Sequence, residues 1–268
     1  MKPAVAVPEP PVLVEMRGPV ARLTLNRPDR HNALVPELVD GLRDAVLGLG
    51  AMAPAAVVLA GAGRSFSTGG DVAAFLAEAE RSRAALVDHA QALVGGLHDT
   101  ILALLHLEVP VIARVQGAVT GGSAGLVLAA DLVAMAEDAF LQPWYAAVGF
   151  GPDGGWTALV PERVGTGRAM AVQALNQRIG AAEAVGLGLA TAVVAAADLD
   201  ATVDGWADEI VARSGPSLAA ARRGIWDEER IGAVRRRLEG ERERFVALID
   251  RPETIAGMRR FVARTRAG

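Results

Sequence analysis

The sequence predicts an α/β protein with a helical C-terminal region. Three observations carry that expectation. Short apolar runs alternate with amphipathic ones as far as Gln142, two glycine-rich segments each follow a buried strand pattern, and the chain beyond Gly155 reads almost wholly as helix. Alternation of this kind builds layered cores with parallel crossovers.

The elements follow in order. After a proline-rich lead, Val12–Glu15 and Ala21–Leu25 read as strands around the turn Arg17-Gly18-Pro19. Pro36 opens an amphipathic run and suits a first helical turn, which predicts a helix over Pro36–Leu49. Ala56–Ala60 is an unbroken apolar run of strand length, followed at once by Gly61-Ala62-Gly63. Helices are expected over Asp71–Arg83 and Asp88–Leu107. Val111–Val115 is a further buried strand, leading into the tract Gly117–Gly125 and an apolar helix through Ala130. Leu132–Met135 and Phe140–Gln142 are short strands. Later, one strand is expected, at about Thr191–Val194, and Ile231–Ile249 and Glu253–Arg264 are the clearest helices. A boundary near Leu199 divides a core over 1–198 from a helical region over 199–268.

Composition narrows the function. The chain has no cysteine, which excludes disulfides, thiolate metal sites and a cysteine nucleophile. Its net charge of −4 argues against a nucleic-acid partner, and its only lysine is Lys2. The lead Met1–Pro11 carries four prolines and no apolar core, unlike a signal peptide. The most apolar tract, Val111–Ala136, is interrupted by Arg114, glycines and Asp131, so a span of about 20 apolar residues does not fit. A cytoplasmic protein without membrane contact is expected.

Two segments carry the chemistry. In Arg64-Ser65-Phe66-Ser67-Thr68-Gly69-Gly70-Asp71, small residues let backbone approach a ligand, and Asp71 is set to cap the next helix. It is no phosphate-binding lysine loop, because no Gly-Lys-Ser/Thr follows. The second, Gln116-Gly117-Ala118-Val119-Thr120-Gly121-Gly122-Ser123-Ala124-Gly125, lacks the dinucleotide spacing G-x-G-x-x-G. Two such loops after buried strands suggest two N–H donors converging on one oxygen, an oxyanion hole.

Four segments in order then give a resemblance. Leu23-Thr24-Leu25-Asn26-Arg27-Pro28-Asp29-Arg30-His31-Asn32-Ala33-Leu34, Val57–Asp71, Gln116–Asp131, and Pro152-Asp153-Gly154-Gly155 with Leu159-Val160-Pro161-Glu162-Arg163-Val164-Gly165 together resemble the crotonase superfamily, the enoyl-CoA hydratase/isomerase family. The resemblance covers nearly the whole chain. It implies a spiral of ββα units, a helical C-terminal region, and a homotrimer or dimer of trimers. It implies an acyl-CoA substrate, with coenzyme A as part of that substrate and no separate cofactor or metal. By position, the oxyanion N–H groups would be those of Gly70 and Gly122. Arg30, His31 and Ala33 would lie along the coenzyme A channel, with Ser67, Gly69 and Val72 at the thioester end and Gly121, Gly125 and Trp144 beside it. His31 has a second reading, as a surface loop histidine.

The chain departs from the hydratases of that family at two positions. Their two water-activating glutamates correspond here to Gly125 and Trp144. Water addition needs one proton removed and another delivered, so losing both acids should cripple it. Asp153 is the remaining acid–base, and an Asp in this setting resembles the family's isomerases. Alternatively Asp153 caps a helix starting near Gly155. Trp144 reads either as a wall for a flat acyl group or as core filling. His98 would assist Asp153 in a hydrolase or dehalogenase, or is simply packed in its helix. A third alternative is a silent acyl-CoA binder. Arg235-Arg236-Arg237 with Glu239, Glu241 and Glu243 reads as a salt-bridged helix face, with gripping of the coenzyme's phosphates as its rival role.

Overall fold

Fully apolar strand runs end up in the middle of a mostly parallel sheet, where both faces are covered. The computed structural model describes residues 9–267, so residues 1–8, most of the proline-rich lead, lie outside the described residues. A six-stranded sheet contains β1 (Val12–Arg17), β2 (Val20–Leu25), β3 (Ala56–Gly61), β4 (Val111–Val115), β6 (Leu132–Ala136) and β9 (Ala192–Val194), in the order β1-β2-β3-β4-β6-β9. β1 and β2 form the antiparallel hairpin; every later pairing is parallel, with Leu23 beside Leu59 and Leu59 beside Ala113. All six residues of β3 are buried. A second sheet joins β5 (Ala118–Thr120), β7 (Phe140–Gln142) and β8 (Ile179–Gly180). This is the layered α/β core with parallel crossovers that the sequence predicts, and β5 and β8 are strands it does not reveal. Two residues long and paired antiparallel to β7, β8 is defined by its partner and not by local pattern.

Several helices run longer than expected and others shorter. The first spans Pro36–Met52. The next two are Val72–Arg81 and Arg83–His106, divided at Ser82, whose Oγ accepts from Ala85 N–H at 3.0 Å and caps the second. Asp71 caps the first, accepting from Ala74 N–H at 3.3 Å. The helix expected through Ala130 shortens to Gly121–Ser123, a tight turn, and Ala124–Leu128.

From Leu199 on the chain is helical: Leu199–Val211, Gly215–Ile225, Glu228–Ile249 and Pro252–Ala267. These helices fold back on the sheet-bearing part. Leu199–Val211 packs on β3, β4 and β6, Glu228–Ile249 on Arg83–His106, and Pro252–Ala267 on Val72–Arg81 and on the short helix Tyr145–Val148. Arg222, almost fully buried, donates to the carbonyls of Leu104 and Leu105 at 2.9 Å each and to Asp131 at 2.9 Å, completing a helix end that would otherwise be unpaired. No helix among the described residues is long and apolar enough to cross a membrane.

Candidate active site

The two glycine segments meet because the first runs along the second as an edge strand. Ser67 N–H donates to Ala118 O at 3.1 Å and Thr120 N–H to Ser67 O at 3.1 Å. Ser123 Oγ–H donates to Ser67 O at 3.0 Å. On the far side Asp71 N–H donates to Leu34 O at 3.0 Å, pinning the end of the first segment. As a result Gly70 and Gly122 line one cavity of about 410 Å³. Among the described residues, neither N–H donates to a carbonyl within the loops and turns. The loop between β2 and the first helix supports this junction from beneath. Fully buried Asn32 donates from Nδ2 to Ala62 O and Ser65 O at 2.8 and 2.9 Å, and its Oδ1 accepts from Arg27 N–H at 2.8 Å.

A third loop brings in the carboxylate. Gly154 stacks on Gly122 so tightly that a Cβ on Gly154 would overlap the Gly122 backbone. A Cβ on Gly122 would in turn lie 2.8 Å from Asp153 Oδ1. Lack of a side chain at Gly122 therefore makes the space in which the carboxylate sits. The Tyr145 hydroxyl donates to Asp153 Oδ1 at 2.5 Å and lies 2.9 Å from the Asp153 carbonyl. Asp153 is 7% exposed, and burial pushes its carboxyl up from 3.8 to about 7, with the Tyr145 hydrogen bond opposing the rise. Burial raises the Tyr145 phenol as well, which keeps it a donor.

Glu241 holds this loop from behind. Fully buried, it accepts from Gly155 N–H at 2.8 Å, Thr157 N–H at 2.6 Å, Thr157 Oγ–H at 2.7 Å and Ala158 N–H at 3.0 Å. This corrects its reading as part of a solvated face, which holds for its neighbours: Arg237 pairs with Glu162 at 2.5 Å and Arg242 with Glu239. His98 also serves the loop. Its Nε2 accepts from Gly154 N–H at 3.2 Å, and burial lowers its pKa to about 4, so the ring is neutral. Among the described residues no hydrogen bond joins His98 to the Asp153 carboxylate, which removes the expected helper from that side chain. The cap alternative for Asp153 is also overturned. The following helix starts at Val160 with no side-chain cap, and the carboxylate bonds Tyr145 instead.

Of the other expected residues, Val72, Gly121 and Trp144 line the cavity. Trp144 takes a left-handed backbone (φ 64°), fixed by Asn176 Oδ1 accepting from Trp144 N–H at 2.8 Å, and its ring meets Phe261 edge-on at 5.9 Å. Ser67, Gly69 and Gly125 lie outside the lining and serve its construction. Ser67 Oγ–H donates to Asn32 O at 2.7 Å, Gly69 closes against Thr120 O, and a Cβ on Gly125 would overlap Gly154 O. Arg30, His31 and Ala33 lie on the supporting loop. Arg30 pairs with Asp71 at 3.2 Å, and His31 Nδ1 lies 3.1 Å from Ser65 Oγ. Sequence reasoning missed Tyr145, Glu241, Phe75 and Phe245. Tyr145 carried a signal, being the chain's single tyrosine directly after Trp144.

Comparison with known proteins gives the family. The family model described as Enoyl-CoA hydratase/isomerase matches residues 15–267. A Bacillus subtilis protein named as an enoyl-CoA hydratase/isomerase, YhaR, is 32% identical over 172 residues, 64% of this chain and 65% of that one, so the match spans about two thirds of the relative's length. A 4-chlorobenzoyl coenzyme A dehalogenase-2 from Arthrobacter is 30% identical over 75% of this chain and 72% of its own. The solved structure of an enoyl-CoA hydratase/isomerase from Xanthobacter autotrophicus Py2 superposes with a TM-score of 0.83 at 30% identity, covering 96% of this chain and 97% of that one. With its fold, its paired glycine loops and a family match over nearly its full length, the chain belongs to the enoyl-CoA hydratase/isomerase family.

Proposed function

We propose that the chain acts on acyl-coenzyme A thioesters and moves a carbon–carbon double bond, with Asp153 as the only proton carrier. One observation carries this reading: among the described residues a single carboxylate, raised by burial to about 7, lines a largely apolar cavity that Gly70 and Gly122 also line. In a 3-enoyl thioester, ionised Asp153 would take a proton from C2. The electrons then spread over the dienolate, whose thioester oxygen would accept from the N–H groups of Gly70 and Gly122. The protonated carboxyl returns its proton to C4, giving the 2-enoyl thioester and restoring the base. A group titrating near neutral pH suits both halves of that shuttle. Coenzyme A is part of the substrate, and the steps call for no further cofactor or metal. A homotrimer or dimer of trimers is the proposed assembly, with exposed Met170 and Leu175 as apolar surface for contacts between copies.

The test is incubation of a 3-enoyl-CoA in D2O with product analysis by NMR. Formation of the 2-enoyl thioester is expected, with C4 carrying mainly the proton taken from C2 and little solvent deuterium, while crotonyl-CoA hydration stays well below a typical enzyme turnover of ~10 s⁻¹. The dehalogenase relative favours a second reading, in which Asp153 attacks a haloaryl ring as nucleophile. Chloride release from 4-chlorobenzoyl-CoA, without double-bond movement, would establish it. A silent binder would do neither, leaving both thioesters unchanged.

A further inference from the structure

The core of this chain is built from Ala, Val and Leu, yet its few aromatic side chains are gathered in one place. Five of the six phenylalanines, the single tyrosine and one of the four tryptophans line the cavity that holds Asp153. Phe140, Trp144, Tyr145 and Phe150 share one stretch, but Phe75, Phe245 and Phe261 come from separate parts of the chain, so sequence proximity alone does not explain the clustering. Phe75 stands on the helix after the first glycine segment, Phe150 on the Asp153 loop, Phe245 on the Glu241 helix and Phe261 on the last helix.

Their geometry is ordered. Phe75, Phe150 and Phe245 form a closed triad with ring centroids 5.2, 5.5 and 5.8 Å apart and planes tilted by 46–53°. Trp144 and Phe261 form a second, edge-on pair at 77°. Phe75 also packs beside Gly70, since a Cβ on Gly70 would lie 3.1 Å from its ring. Aromatic side chains therefore form much of the wall of the cavity that Gly70, Gly122 and Asp153 also line, alongside Leu34, Leu93, Leu97 and Val148. Aromatic walls with tilted neighbours suit a flat ring, which gains face and edge contacts that a flexible alkyl chain does not. A rigid ring also loses less conformational freedom on binding.

We infer that the acyl group this site takes carries a flat aromatic ring close to the thioester, in place of a straight alkyl chain. The inference rests on the reading of the cavity as an acyl-CoA site. It is independent of whether Asp153 moves a proton.

Calorimetric titration of the full chain with phenylacetyl-CoA, cyclohexylacetyl-CoA, hexanoyl-CoA and free coenzyme A tests it. Phenylacetyl-CoA should bind at least ~5-fold tighter than either other thioester, as expected when ring contacts add to simple burial. Phe150→Leu and Trp144→Leu should each shrink that preference, read as the ratio of phenylacetyl-CoA to hexanoyl-CoA affinity, with thermal melts checking that each variant is folded; an unchanged ratio in both would count against the inference. Equal or tighter binding of cyclohexylacetyl-CoA or hexanoyl-CoA by the wild type would overturn the inference and leave the acyl-site reading intact. No thioester binding tighter than free coenzyme A would overturn both. Asp153→Asn should keep the aromatic preference, so loss of turnover in that variant bears on the proton shuttle alone.

Discussion

Asp153 and Glu241 are both buried carboxylates, and both act on one short loop, Asp153 from its start and Glu241 from the helix behind it. Burial raises the pKa of each. They differ in their donors. Glu241 accepts four hydrogen bonds from Gly155, Thr157 and Ala158 and does not line the cavity. The Asp153 carboxylate accepts one, from Tyr145, and lines the cavity. A buried carboxylate whose lone pairs are all engaged is an anchor, whereas one left short of donors has capacity for a proton. Burial alone does not tell a reactive carboxylate from a structural one; the count of donors does.

The largest effect is expected where a carboxylate is introduced with neither arrangement to receive it. Gly125→Glu restores a family acid in name, but its Cβ would overlap Gly154 O and press on Ile101. Loss of more than ~4 kcal/mol, read as little soluble protein or a collapsed melt, is expected. A folded variant that hydrates crotonyl-CoA would show that the loop yields.

Asp153→Asn comes next. Isomerisation of a 3-enoyl-CoA should fall at least ~10²-fold with binding largely kept. The same variant should be more stable than wild type at pH 8. The folded carboxyl titrates near 7 against 3.8 when free, so wild-type stability declines as pH rises from about 4 to about 7 and stays lowered above it. Neutral Asn escapes that cost, worth on the order of 2–4 kcal/mol. Melting curves at pH 5 and pH 8 check it: the gain should be larger at pH 8.

Glu241→Gln should do the reverse, costing ~2 kcal/mol because an amide NH2 would face backbone donors. Turnover per folded molecule should drop by less than ~10-fold, since the base remains. A loss equal to that of Asp153→Asn would make Glu241 part of the chemistry.

Tyr145→Phe gives the smallest change. The Tyr145 hydrogen bond holds the Asp153 pKa down, so its removal should move the activity limb to higher pH. Initial rates across pH 5–9 show it, and an unmoved limb would mean that Asp153 is not the titrating base.

Much of the fold was legible because its signals are local. Apolar runs at Ala56–Gly61 and Val111–Val115, the proline at Pro36 and the cap at Asp71 each act within a few residues. Asp153 could be singled out because the two family acids are absent at Gly125 and Trp144. Glu241 could not. On a helix dense in Arg and Glu it looks like its solvated neighbours, and only the approach of a loop 83–86 residues earlier buries it.

By itself, the sequence determined the order of the six main-sheet strands and the long helices, the absence of cysteine chemistry and the two glycine segments, since these follow from residue type and short-range period. Tertiary structure decided which glycines line the cavity and which build it, that His98 faces Gly154 and not the carboxylate, and that scattered phenylalanines converge. Those outcomes depend on distances between segments far apart in the chain, which are set by packing and not by any one residue's intrinsic preference.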